Sequence, residues 1–332
     1  MPASIRDVAL EAGVSIATVS NTLNNPDMVS EATRNRVLDA VAKLGFVRND
    51  AARVLRAGKS KAIGLIVLDG ANPFFAALAA GADAAASQLG YSVLLANSNL
   101  SQARERDFLN LFEEQRVAGV LISPLVVESE PLRALRERGT PVVLVDLPSA
   151  DQSVPSVSVD DVAGGKLVLE HLVGGGARRI LFVGGPLIRG QIADRLAGAQ
   201  AAAEVGKVGL EVIETEAMSV EIGRQVGEQL LTRSPQKRPD AIFAANDLLA
   251  LGLMQAFIVD GGVRIPQDVS IVGYDDIDYS ATAIVPLSSV RQSPELIGQT
   301  AIELLLADTP DASPNPQVVL QPELVIRASS RR

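Results

Sequence analysis

The sequence predicts a small all-α head joined to an α/β body of two doubly wound parallel-sheet lobes, and three observations carry that reading. At 332 residues the chain is too long for one small core. Its first 47 residues read as short amphipathic helices with no strand-like run. After Ser60 the pattern changes to short β-branched runs, most of them separated by roughly 12–20 residues of helical periodicity, the signature of parallel sheets covered on both faces.

In the head, Ser4 is placed to cap a first helix, with Asp7 three residues on completing a capping box. Ile5, Val8, Ala9 and Ala12 form its inner face. Gly13 supplies a tight turn, Val14 plugs the core, and Ser15 caps a second helix whose inward positions are Val19 and Leu23. A third helix begins at Ser30, turns Val37, Val41 and Leu44 inward, and ends at Gly45. Ile16, Ala17, Thr18, Ser20 and Asn21 are left on the outer, N-terminal part of the second helix, the part that a recognition helix pushes into a major groove. The competing reading is a structural three-helix cap. Charge favours a partner bearing phosphates: residues 1–61 carry nine Lys/Arg against six Asp/Glu, whereas the rest carries 21 against 33.

A polar connector, residues 48–60, follows. Its NDAARVLRAG can form a helix capped by Asn49, too short to be stable alone in water. In the body, AIGLIVL, YSVLLAN, GVLIS, VVLVD, RILFVG, AIFAA and SIVGYDD read as strands, and FFAALAAGADAAASQLG and DDVAGGKLVLEHLVGGG as helices between them. SADQSVPSVSVDD reads as a linker, and TPDASPNPQ as a surface loop before a last pair of strands. There are more strand–helix units than one modest sheet holds, so two lobes are expected, with a ligand cleft at the carboxyl ends of their strands.

Composition narrows the chemistry. With 47% apolar and 21% charged residues the chain is globular. It shows no run of 18 apolar residues and no secretory signal at MPASIRDVAL, so the cytoplasm is the expected address, without a membrane partner. It has no cysteine, which excludes disulfides and thiolate metal sites. The single histidine, His171, sits at helical spacing in KLVLEHLVGG and reads as a packed helix residue; VGGPLIRG lacks GxGxxG spacing. No catalytic set, metal cluster or cofactor motif emerges, so the chain does not read as an enzyme.

RDVALEAGVSIATVSNTLN resembles the helix-turn-helix of the LacI/GalR family of bacterial transcription regulators. GFVRNDAARVLRAGKSKAIGLIV, NPFF, VSVDDVAGG, ANDLLALG, IPQDVSIVGYDD and VRQSPELIG extend the resemblance over nearly the whole chain. It implies a DNA-binding head at 1–47, a hinge at 48–60 and a periplasmic-binding-protein-like body at 61–332. The N-lobe would take about 61–158 plus 290–320, and the C-lobe about 159–289 plus the last strand. By resemblance the hinge orders when two copies pack on DNA, with Leu55 wedged into the minor groove and Arg53 on phosphate. The DNA-binding set is then Ser4, Ser15, Ile16, Ala17, Thr18, Ser20, Asn21, Asn24, Arg53 and Leu55. Ile16 and Ala17 suit a thymine methyl, Asn21 suits adenine, and Thr18 and Ser20 suit phosphates.

Matched to the family, the cleft candidates are Asn72, Phe74, Phe75, Asp146, Arg195, Asn246 and Asp275, polar groups suited to hydroxyls beside an aromatic face. Two departures stand out: Ala177 where many members have histidine, expected to affect surface packing, and Ala199 where an aromatic is usual, expected to reshape the cleft wall. The implied function is a repressor that binds a palindromic operator in double-stranded DNA as a homodimer, no heptad tail following VIRAS. A small sugar or polyol would tune its affinity. A nucleoside or purine effector, a sugar phosphate, and a solute-binding protein are the alternatives.

Overall fold

Capping residues set the helices of the head. Ser4 accepts from the Asp7 amide while the Asp7 carboxylate receives both the Ser4 amide and its hydroxyl, and this reciprocal box starts α1 at Ile5–Ala12. Gly13, at φ +64°, turns the chain through a conformation that side chains resist. The Ser15 hydroxyl then accepts from the Thr18 amide and begins α2, Ile16–Asn24. After a short 3₁₀ turn at Pro26–Met28, α3 runs Glu31–Leu44 and closes on Gly45, again left-handed. Val8, Ala9, Ala12, Val19, Val37 and Ala40 form the head's core, with Ile5, Val14, Leu23, Val41 and Leu44 packed around it. This computed structural model describes residues 3–46, 60–126, 129–149, 154–307 and 316–331. Arg53 and Leu55, expected at the hinge, lie outside the described residues. The chain divides into two compact units, Met1–Ser60 and Lys61–Arg332.

The body opens with β1 (Ala62–Val67), α4 (Pro73–Gln88), β2 (Ser92–Asn97), α5 (Gln102–Glu114), β3 (Val120–Ile122), α6 (Glu130–Glu137), β4 (Val142–Val145) and β5 (Ser156–Val159). It continues through α7 (Asp161–Gly174), β6 (Arg179–Gly184), α8 (Gly190–Gly206), β7 (Gly209–Glu214), α9 (Val220–Leu231), β8 (Ala241–Ala244) and α10 (Asp247–Gln255), which a π-turn at Ala256–Asp260 extends. It ends with β9 (Ser270–Asp275), α11 (Asp278–Thr282), β10 (Ser288–Arg291), α12 (Pro294–Leu306), β11 (Gln317–Leu320) and β12 (Glu323–Val325). The first sheet, in the order β11-β5-β4-β3-β1-β2, is wholly parallel. The second, β12-β10-β9-β8-β6-β7, is parallel except for the antiparallel edge pair β10–β12.

Strand alternation builds a core on each face of each sheet. Ile63, Leu65 and Val67 of β1 face α4 and α12, while Ile66 faces the α5–α6 side. Ile180 and Phe182 of β6 join α7 and α8, while Leu181 and Val183 join α9 and α10. The chain crosses between lobes three times, after β5, after β10 and after β11, so each lobe is assembled from separated pieces of sequence. SADQSVPSVSVDD is therefore not only a linker, for Ser156–Val159 is a fully buried strand. Its buried serines disguise it: Ser156 donates to Gln317 Oε1, satisfying a hydroxyl that would otherwise be costly inside. Ala177 and Ala199 are core residues of the second lobe, so neither the expected surface role nor the cleft-wall role applies.

Glycines let α7 and α8 meet at backbone distance. A Cβ at Gly165 would strike the Arg195 carbonyl, and one at Gly198 the Val162 carbonyl. Gly165→Val should thus destabilise the body by about 2–3 kcal/mol through overpacking. Gly174→Ala, at the open end of the same helix with no atom near its Cβ, should be near neutral. Urea unfolding of the two variants checks this; equal stability would mean that the helices can part without loss.

Candidate functional site

Two aspartates end strands on facing lobes. Asp146 follows β4 at φ +64°, and Asp275 closes β9 at φ +104°. Left-handed backbone at a non-glycine residue is costly and clusters at functional sites; here it turns two carboxylates into one interlobe cleft. The cleft is lined by Leu68, Asn72, Phe74, Phe75 and Asp146 from the first lobe and by Arg189, Gln191, Ile192, Arg195, Met218 and Asp275 from the second. Gln292, on the crossover after β10, completes it. The lobes are closed on one another, leaving about 30 Å³ of space, far below the ~300 Å³ of a small-molecule pocket.

Arg195, on α8, organises the charge. It is 4% exposed, and its Nε donates to Asp161 Oδ1 at 2.8 Å and its Nη1 to the Ala245 carbonyl at 2.7 Å. The guanidinium lies 3.7 Å from the Tyr274 ring centroid and 3.8 Å from Asp275. Burial works against its charge, but Asp161, Tyr274 and Asp275 outweigh burial and hold its pKa above the ordinary value. Burial pushes Asp146 up to about 8, with Asp161 adding repulsion. Burial also raises Asp275 to about 6, with Arg195 and the amides of Asn72 and Gln292 pulling the other way.

Asn72 caps α4, its Oδ1 accepting from the Phe74 amide, while its Nδ2 donates to Asp275 Oδ2 at 3.0 Å. Phe74 and Phe75 meet edge to face at 5.1 Å and form the aromatic wall. Asn246 does not join this group. Its Oδ1 caps α10 through the Leu249 amide, its Nδ2 goes to the Met218 carbonyl, and it is absent from the cleft lining. Four polar residues at or against the cleft were not singled out in the sequence: Asp161, Arg189, Gln191 and Gln292. Behind the cleft, Asp247 is wholly buried, receives the Ile277 amide and the hydroxyls of Ser280 and Ser289, and is pushed up to about 8 by burial and then by Asp275. His171 is a packed helix residue, its Nε2 2.8 Å from Ser330 Oγ.

In the head, Ser15, Ile16, Ala17, Asn21 and Asn24 are exposed along α2, and Thr18 and Ser20 half-buried. The Thr18 hydroxyl is 2.8 Å from Ser15 Oγ, and Asn24 Nδ2 donates to the Ser20 carbonyl and hydroxyl. Asn21 makes no side-chain hydrogen bond among the described residues, so its amide is the uncommitted polar group on this face.

Residues 4–49 match the family described as bacterial regulatory proteins, lacI family, and residues 169–330 match the periplasmic binding protein-like domain. The ribose operon repressor of Bacillus subtilis (strain 168) is 35% identical over 304 residues, covering 92% of this chain and 91% of that protein. The chain belongs to the LacI family. A second LacI-family relative, the HTH-type transcriptional repressor PurR of Photobacterium profundum, is 33% identical over 98% of each chain. A solved lac repressor dimer bound to operator and the anti-inducer ONPF superposes with a TM-score of 0.85 at 30% identity, covering 99% of both chains. These relatives are repressors, not enzymes, and this LacI-family chain has their DNA-binding head and two-lobed body. Among the described residues no helix is long and apolar enough to cross a membrane.

Proposed function

We propose that the protein is a cytoplasmic repressor that binds a two-fold symmetric operator as a homodimer and releases or grips it in response to a small neutral polyhydroxyl effector. The observation that carries the effector reading is the charge and shape of the cleft. The cations Arg189 and Arg195 line the cleft, and Asp161, Asp275 and the Asp69 and Asp146 carboxyls near Arg189 stand against them, so the cleft has no surplus positive charge to hold a phosphate ester. Carboxyl, amide and guanidinium groups suit vicinal hydroxyls, and Phe74 and Phe75 offer one apolar face for a small ring. The ribose operon repressor among the relatives fits such an effector.

The dimer reading draws on the lac repressor dimer and on an exposed apolar patch, where Val259, Tyr279 and Ile284 rim a hollow floored by Met254 and Ile258. Thermal shift with neutral pentoses and hexoses, hypoxanthine and sugar phosphates tests the effector class. A neutral sugar should raise the melting temperature and change operator affinity; binding of phosphate esters alone would overturn the reading.

On DNA, Ile16 and Ala17 are placed for thymine methyls, Asn21 for adenine N6 and N7, and Ser4, Ser15, Thr18, Ser20 and Asn24 for positioning against the backbone. Selection of bound sequences from random DNA should return a palindrome. Asn21→Ala should then lose about 1–3 kcal/mol of discrimination at one adenine per half-site. An unchanged half-site would remove Asn21 from base reading.

A further inference from the structure

The lobes are joined by two amide–carboxylate bonds that run in opposite directions. From the first lobe, Asn72 Nδ2 donates to Asp275 Oδ2 of the second at 3.0 Å. From the second, Gln191 Nε2 donates to Asp146 Oδ2 and to the Asp146 carbonyl of the first, each at 3.0 Å. Both carboxyls sit on left-handed residues at strand ends, so each is presented by a rigid sheet edge rather than by a mobile loop. Both amides are held at helix starts: Asn72 caps α4, and Gln191 is the second residue of α8. All four residues are at most 7% exposed. Gln292, on the crossover after β10, holds the other Asp275 oxygen at 2.7 Å and fixes that carboxyl for its partner.

We propose that this pair of bonds is an intrinsic latch by which the chain holds its own lobes closed, the two side-chain amides engaging the carboxyls at which an effector's hydroxyls would donate. The bonds need no third molecule. Each ties a buried carboxyl to a donor from the opposite lobe, so parting the lobes breaks both at once. Away from water a hydrogen bond is electrostatically stronger than in solution, and two acting together make closure cooperative. The latch makes the repressor's response threshold a property of Asn72 and Gln191. That consequence rests on the cleft being the effector site, whereas closure itself does not.

The absence of cysteine from the sequence permits a direct test. Ala103→Cys at the start of α5 and Glu216→Cys in the loop after β7 are exposed positions on opposite lobes. Spin labels there report the interlobe distance by electron double resonance in the full-length protein, the labelled chain being diluted into an excess of unlabelled chain. No effector is added. The unsubstituted latch should give one narrow short distance. Gln191→Leu, which keeps size but removes the donor, should raise the longer-distance population about tenfold. Asn72→Ser, which keeps the helix cap but removes the reach to Asp275, should do the same. The double variant should shift it further. Circular dichroism melts establish that each variant is folded, and operator binding by the same samples reports separately on the repressor reading. A broad or long distribution in the parent protein, or unchanged distances in folded Gln191→Leu, overturns the latch even if operator binding is intact.

Discussion

Arg195→Met will lower the unfolding free energy of the body by about 3–5 kcal/mol and abolish the effector response, the largest loss expected from any single cleft substitution. Methionine keeps an apolar stem beside Tyr274 but removes the charge that makes Asp161 tolerable, 2.8 Å away and 6% exposed. It also strands the Ala245 carbonyl and takes away the cation that draws Asp275 downward. Arg195→Lys should recover little. An ammonium cannot bond Asp161, reach the Ala245 carbonyl and lie flat on the Tyr274 ring together. Adding Asp161→Asn to Arg195→Met should return a large part of the loss, because the cost comes from an uncompensated carboxylate more than from a missing bond. Urea denaturation of the four proteins measures this. A single Met variant as stable as the parent would mean that the Arg195–Asp161 pair contributes nothing to the fold.

How far the cleft could be read from sequence depended on chain path. Asn72, Asp146, Arg195 and Asp275 were legible through the family's motifs, which set both aspartates at the ends of continuous apolar strand runs. Asp161, Gln191 and Gln292 were not legible. Asp161 and Gln292 reach the cleft at crossovers between lobes, and Gln191 at the start of α8 meets Asp146 across 45 positions, beyond any local periodicity. Asn246 shows the reverse failure. A polar residue after a strand and before a helix has the same local signature whether it caps the helix or faces a ligand, and here the cap takes the Oδ1 while the Met218 carbonyl takes the Nδ2. The strand at Ser156–Val159 was hidden for a related reason: its Ser156 hydroxyl is satisfied by Gln317, 161 positions further along the chain.

The same burial that hides these carboxyls gives the body an unusual pH response. Asp146 and Asp247 are raised to about 8 and Asp275 to about 6, from an ordinary 3.8, with burial the first cause in each. Asp146 faces Asp161, Asp275 and Gln191 with Arg189 and Arg195 nearby; Asp247 faces Asp275, Ser280, Ser289 and the Ile277 amide. A group whose folded pKa lies above its unfolded value binds more protons when folded. Its contribution is full below about pH 4 and is lost as pH rises through the folded pKa, so stability falls with pH where salt-bridged carboxylates would make it rise. His171 acts oppositely, since burial lowers its pKa below 6.5 and its contribution is lost as pH falls through that range. Asp268, held down to about 2 by Arg264, matters only in stronger acid. Between pH 7 and 9, therefore, Asp146 and Asp247 dominate. Each linked proton is worth about 1.4 kcal/mol per pH unit below its folded pKa, and the slope fades above it. The melting temperature should drop steadily from pH 7 to 8.5 and then level. Asp247→Asn, neutral at every pH, should remove about half of that slope, and Asp146→Asn most of the rest. A melting temperature that is flat or rising from pH 7 to 8.5 would show that the folded protein carries both carboxyls ionised, and that the polar groups around them offset the whole cost of burial.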